Sequence, residues 1–190
     1  KPGKESNLSL TLLMENEKLS KITNMRFTSP KYSLLGDVLF DNSGEWKQIH
    51  FSDLKGPFTD TQVNIQKLSQ NAYEIGFKGK SVNLEKFLKL LDDDTEKKDH
   101  PPTHLKLSAE VGALRLGEDR IFNNINGFAN VFIEGNDTFW REVHFTAQAG
   151  QGTANKGQMS GVAGGISLDL HAPQGNKQAL EVRANDAGIF

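Results

Sequence analysis

Trp46-Lys47-Gln48-Ile49-His50-Phe51 and Trp140-Arg141-Glu142-Val143-His144-Phe145 are one six-residue pattern written twice. Trp, His and Phe are identical between the copies. The other positions keep their chemistry: a base, an amide or acid, and a β-branched apolar residue. The chain has two Trp, and both fall at the same place in this pattern. The copies lie half a chain apart, which points to a duplicated structural unit.

Each copy is preceded by an apolar strand piece, Val38-Leu39-Phe40 in one and Phe132-Ile133 in the other. Turn formers fill the gaps, Asp41-Asn42-Ser43-Gly44 and Gly135-Asn136-Asp137-Thr138. The unit therefore reads strand, turn, strand, a β-hairpin. Alternation puts Ile49 and Phe51 on one face, and likewise Val143 and Phe145. The same alternation sends Trp46, Gln48 and His50 to the opposite face.

Outward from the hairpins, period-two alternation dominates. It marks Leu8 to Leu12, Thr61 to Ile65, Tyr73 to Phe77, Leu105 to Val111, Ile166 to Leu170 and Leu180 to Ala184. Lys21 to Arg26 is a weaker strand, and Pro30 interrupts before Tyr32-Ser33-Leu34-Leu35-Gly36. Gly79 breaks the period. Asn83 then caps a predicted helix over 83–91, with Leu84, Phe87, Leu88 and Leu91 at helical spacing. A second helix is expected to start near Asp186. Residues 92–104, with Asp92-Asp93-Asp94 and Pro101-Pro102, read as a charged linker. The expected division is a first unit over 1–91, the linker over 92–104, and a second unit over 105–190.

The totals remove several function classes. The chain has 190 residues, a formal charge of −2 and no cysteine. There is no electrostatic footprint for nucleic acid and no disulfide framework or thiol chemistry. No apolar run is long enough to cross a bilayer, and Lys1-Pro2-Gly3-Lys4 does not read as a secretory leader. Gly152 to Gly157 has the spacing of a phosphate loop, but Gln158-Met159 stands where Lys and Ser or Thr must be. His100 and His104 are four apart, but two Pro between them forbid a helical ligand pair. A metal site from these His and the three Asp is outweighed by a solvated connector. No Ser occupies a nucleophile elbow. The chain reads as no enzyme, with no catalytic residues, cofactor or metal.

Three residue sets resemble the AsmA-like family of Gram-negative envelope proteins (the AsmA/TamB/YhdP group). They are Tyr32-Ser33-Leu34-Leu35-Gly36 through Gly44-Glu45-Trp46, Gly79 followed by Asn83 to Leu91, and the closing Leu180 to Gly188. The resemblance spans most of the chain on short motifs. It implies a periplasmic protein tethered to the inner membrane by a segment outside this chain. It implies a long curled antiparallel sheet, an open taco-like β-groove of two repeated units with one short helix each. The implied partner is phospholipid, whose acyl chains the groove shelters between inner and outer membrane. A rival family role is assisting outer-membrane protein assembly, which would bring outer-membrane assembly proteins as partners.

The alternation agrees on one point. Many strands with one apolar face need cover, and one helix per unit is too little to supply it. The residues assigned to the groove lining are Leu10, Leu12, Ile49, Phe51, Tyr73, Ile75, Phe77, Leu107, Val143, Phe145, Ile166, Leu168, Leu170 and Val182. A single register slip would swap their faces. The runner-up fold is a closed β-sandwich acting as a scaffold or interaction module. A carbohydrate-active or metal-dependent enzyme is a weaker third.

Overall fold

A computed structural model describes residues 5–85, 101–117, 121–135, 137–149, 165–175 and 177–184. These residues form eleven strands. They are β1 (Asn7–Glu15), β2 (Lys18–Thr28), β3 (Ser33–Phe40), β4 (Trp46–Gly56), β5 (Thr59–Ser69) and β6 (Ala72–Asn83). After them come β7 (Thr103–Arg115), β8 (Ile121–Glu134), β9 (Asp137–Ala149), β10 (Gly165–Leu170) and β11 (Leu180–Ala184). All eleven join one open sheet in chain order, with β1 and β11 at its edges. The protein is mainly β, and the described residues contain almost no helix. The two stacked layers of a sandwich are not formed by these strands.

The expectation of a long curled, wholly antiparallel sheet is met only in part: the eleven strands form an open, uncurled sheet, and one pair is parallel. β6 and β7 pair in parallel, from Ala72 opposite His104 to Asn83 opposite Arg115. The physical reason is the connection. Tight hairpins join most neighbouring strands, whereas the long stretch 84–102 carries the chain back to the end where β6 began. β7 opens at Thr103, inside the segment read as linker. Asn83 ends β6, and its Oδ1 accepts the Glu85 N–H at 3.0 Å, as an N-cap does. The rest of the first predicted helix, the predicted second helix, the Asp92 to Asp94 run and the Gly-rich loop lie outside the described residues.

Turn chemistry fixes the hairpins. Asn16 and Glu17 both take positive φ, 50° and 65°, between Glu15 and Lys18, the geometry that suits strand twist. Asp41 organises the β3–β4 turn. Its Oδ1 accepts the N–H of Ser43 at 2.8 Å and of Glu45 at 3.1 Å, together with the Ser43 hydroxyl. The β8–β9 turn is shorter than expected. Glu134 pairs with Asp137, so Asp137 and Thr138 belong to β9 rather than to the turn.

Register shifts recur along the sheet, between β1 and β6 and again between β8 and β9. They include Ser9/Thr11, Ile22/Met25, Leu35/Gly36, Phe51/Leu54, Asp60/Thr61 and Asn123/Asn126. Each extra residue bends its strand and raises the local twist. One of them also explains why Gly79 does not end its strand. Thr61 pairs with Gly79 and Asp60 with Ser81, so Lys80 is the extra residue. A Cβ on Gly79 would lie 2.6 Å from the Thr61 Cα, so only glycine admits this approach. Past the bulge the alternation resumes in opposite phase, returning Val82 to the face of Phe77. Val82, Val111, Ile125 and Ala147 form the buried cluster. Phe77, Leu84, Leu114, Phe122 and Phe145 pack against it.

Candidate functional site

The register places all fourteen predicted lining residues on one face. Leu12 pairs with Ile22, Ile22 with Val38, Val38 with Ile49, Ile49 with Ile65, and Ile65 with Ile75. Ile75 then pairs with Leu107, Leu107 with Ala129, Ala129 with Val143, and Val143 with Leu170. Residues directly opposite share a face, so this chain of pairs is one continuous apolar row. A second row joins Phe51 to Val63, Phe77, Ala109, Gly127, Phe145, Leu168 and Val182. Alternation adds Leu10, Tyr73 and Ile166 to the same face.

The sequence reading misplaced the tryptophans. Phe40 pairs with Trp46 while Leu39 pairs with Gln48, so Lys47 is a bulge residue. Trp46 therefore shares the face of Ile49 and stacks on Tyr73, with ring centroids 5.6 Å apart. The second copy behaves alike. Val131 pairs with Trp140 and Asn130 with Glu142, which leaves Arg141 as the extra residue. Trp140 stands on the apolar face beside Val143. A signal for this was present. Trp46 and Ile49 are three apart, as are Trp140 and Val143, and two apolar residues at that spacing share a strand face only across a bulge.

Among the described residues, cover on this face is thin. Seven apolar side chains are buried among the described residues: Val63, Val82, Val111, Ile125, Ala129, Val131 and Ala147. The predicted lining in β4, β6, β7, β9 and β10 is half-buried. At the edges, Leu8, Leu10 and Leu12 on β1 and Val182 on β11 are exposed. Over the second half of the sheet lies an open hollow of about 270 Å³. Phe77, Leu107, Val143, Phe145 and Leu168 line it from the predicted set. Leu84, Ala109, Leu114, Ile125, Ala129 and Trp140 join them. The other nine predictions, Leu10, Leu12, Ile49, Phe51, Tyr73, Ile75, Ile166, Leu170 and Val182, share the face but lie outside the hollow.

The opposite face is mixed: it carries cross-strand polar pairs, but also Phe128 and an aromatic cluster of His104, Phe132 and Phe139. Gln48 Nε2 donates to Asn64 Oδ1 at 2.7 Å, and Asn130 Nδ2 to Glu142 Oε2 at 2.8 Å. Lys78 and Glu110 form an ion pair at 2.8 Å across the parallel seam. His144 Nδ1 meets Asp169 Oδ1. Exposed pairs of this kind fix register more than they stabilise. At the turn end of the apolar face, Lys67, opposite Tyr73, pairs with Glu45. Its ammonium is held above the ordinary lysine value, first by that hydrogen bond. No three His, Cys, Asp or Glu side chains converge among the described residues. The arrangement offers a continuous apolar surface on one side and a mixed polar and aromatic surface on the other.

No protein-family model, curated protein or solved structure matches this chain.

Proposed function

We propose that the apolar face binds phospholipid acyl chains, and that the chain is a segment of an AsmA-like envelope protein that shelters or conducts lipid between inner and outer membrane. The observation carrying this reading is the uninterrupted apolar face, from Leu12 to Leu170, with little of the described residues packed over it. An acyl chain suits such a surface because it needs apolar contact without directional bonds. Full burial gains about 0.8 kcal/mol per methylene, roughly 12 kcal/mol for a palmitoyl-length chain. Many similar side chains in register allow a lipid to slide without a specific stopping point.

In this reading the two hairpins belong to two repeated units, 1–91 and 105–190, and the sheet, open in this chain, curls about its apolar face into a groove in the longer protein. Two features support the finer picture. The bulge after each Trp is the same, and Gly36 opposite Phe51 corresponds to Gly127 opposite Phe145. The recurring bulges supply a bend in strand after strand.

The test is photocrosslinking in cells, with the probe placed in turn at Phe51, Phe145, Gln48 and Glu142. The expected result is labelled phospholipid at the two Phe positions and none at Gln48 or Glu142. Equal labelling from both faces would defeat the proposal.

A further inference from the structure

On the face away from the apolar rows, the middle of the sheet carries a second hollow, of about 410 Å³. His50, Gln62, Asn64, Lys78, Glu110 and Asn126, drawn from β4 to β8, line it. The register explains the depression. Asn64 pairs with Gly76, Gly76 with Ser108, and Ser108 with Phe128. Two neighbouring strands thus present a hydrogen atom and a small hydroxyl side chain, where the strands on either side carry an amide and an aromatic ring. From Asn64 to Phe128 is three strand spacings, about 14 Å. Gly76 has no backbone reason to be glycine. It does not take a positive φ. At Gly36, Gly79, Gly112 and Gly127 an added Cβ would collide with backbone, whereas at Gly76 it would meet only the Ser108 hydroxyl oxygen, at 3.1 Å. Glycine in a strand interior weakens the strand, and one that the backbone does not require marks close approach by a ligand.

We propose that this hollow is a saccharide site, in which one sugar ring of a neutral glycan lies over Gly76 and Ser108 beside Phe128. The chemistry of the lining selects that class. Phe128 is 43% exposed, and its ring offers apolar surface to the C–H face of a pyranose. The amides of Gln62, Asn64 and Asn126 each offer donors and an acceptor, which matches hydroxyl groups that do both. Asn64 Oδ1 accepts from Gln48, which orients the amide and aims its Nδ2 donors elsewhere. The two charged side chains, Lys78 and Glu110, are paired with each other at 2.8 Å. The hollow therefore holds no net charge to draw a phosphate or a cation. An acyl chain would bury these polar groups without partners. The site lies across the sheet from the proposed lipid face and stands whether or not that face binds lipid.

Titration with cellohexaose and with chitohexaose, followed by amide chemical shifts, tests the site. At least one of the two should move Asn64, Gly76, Ser108 and Asn126 saturably. Gly76→Val fills the floor with a residue that strands favour, and the Ser108 hydroxyl can rotate aside. It should weaken binding roughly tenfold or more. Phe128→Ala, which removes an exposed ring, should weaken it by a similar factor with unchanged β-sheet circular dichroism. Affinity should be the same in low and high salt, because the ligand brings no charge. No response to either oligosaccharide, shifts confined to the apolar face, loss of binding at high salt, or full affinity in folded Gly76→Val or Phe128→Ala would overturn the proposal.

Discussion

The β3–β4 and β8–β9 hairpins carry the same six residues and the same bulge, yet their tryptophans end in different surroundings. Trp46 is half-buried and stacked on Tyr73. Trp140 is 49% exposed. The cause lies in the neighbouring strand. β5 runs on to Ser69 beside Trp46, and β6 brings Tyr73 behind it. β10 stops at Leu170 opposite Val143, short of Trp140. There the ladder is replaced by one side chain. Gln178 Nε2 donates to the carbonyls of Trp140 at 3.0 Å and Arg141 at 2.9 Å. Local sequence set the bulge, and the length of the next strand set what the bulge exposes.

The hairpins should be most alike, and most easily broken, at their glycines. A Cβ on Gly36 would collide with the His50 carbonyl oxygen and lie 3.1 Å from the Phe51 Cα. One on Gly127 would collide with the His144 carbonyl oxygen and lie 3.0 Å from the Phe145 Cα. The obstacles are backbone, which cannot swing away. Gly36→Ala and Gly127→Ala should each lose about 2–4 kcal/mol in urea unfolding. A loss below about 1 kcal/mol at one glycine would end the equivalence of the two hairpins.

The tryptophans should separate them. Trp46→Ala removes a stacked, half-buried ring and should cost about 3 kcal/mol. Trp140→Ala removes a ring already half in solvent and should cost about 1 kcal/mol. Lipid labelling at Phe145 should move the other way, falling more for Trp140→Ala, since Trp140 lines the hollow. Equal stability losses would mean that the Tyr73 stack contributes nothing.

Gln178→Ala tests the substitute for the missing strand. It removes two hydrogen bonds to carbonyls that water can reach, so the loss should be about 1 kcal/mol. Amide exchange should quicken at Phe139 to Glu142 and stay unchanged at Trp46 to Gln48. Quickening in both hairpins would show a global loss rather than a local one.

Strand positions and the apolar face were legible in the sequence because alternation is a two-residue signal that needs no knowledge of partners. Ile49, Ile75, Leu107 and Val143 could be assigned to one face from their own strands alone. What was not legible came from bulges and long connections. Trp46 and Trp140 were assigned to the wrong face because a bulge flips phase without changing composition. Gly79 read as a strand end because the loss of period at Lys80 looks the same as termination. The parallel seam at β6–β7 depends on where the 84–102 connection takes the chain, which no local pattern encodes. The hollow is non-local as well, since Leu84 and Leu114 reach it only through the mid-sheet phase change.

The smallest difference lies at the turns and depends on pH. In the first hairpin the Ser43 hydroxyl, donating to Asp41, holds that carboxyl below its ordinary value of 3.8. The N–H groups of Glu45 and Ser43 and the charge of Lys67 act in the same direction, against the cost of desolvation. A carboxyl lowered in the folded state stabilises fully above its ordinary value, and that stabilisation fades as pH falls through the lowered one. Between the paired Glu134 and Asp137 of the second hairpin, the sequence Gly135-Asn136 has no carboxyl. Amide exchange in β3–β4 should therefore speed up relative to β8–β9 when pH drops from above 3.8 to below it, after correction for intrinsic rates. Asp41→Asn should remove that difference, because an amide accepts the same hydrogen bonds without titrating. If the relative rates of the two hairpins do not change across this range in the parent chain, Asp41 is not what holds the first turn.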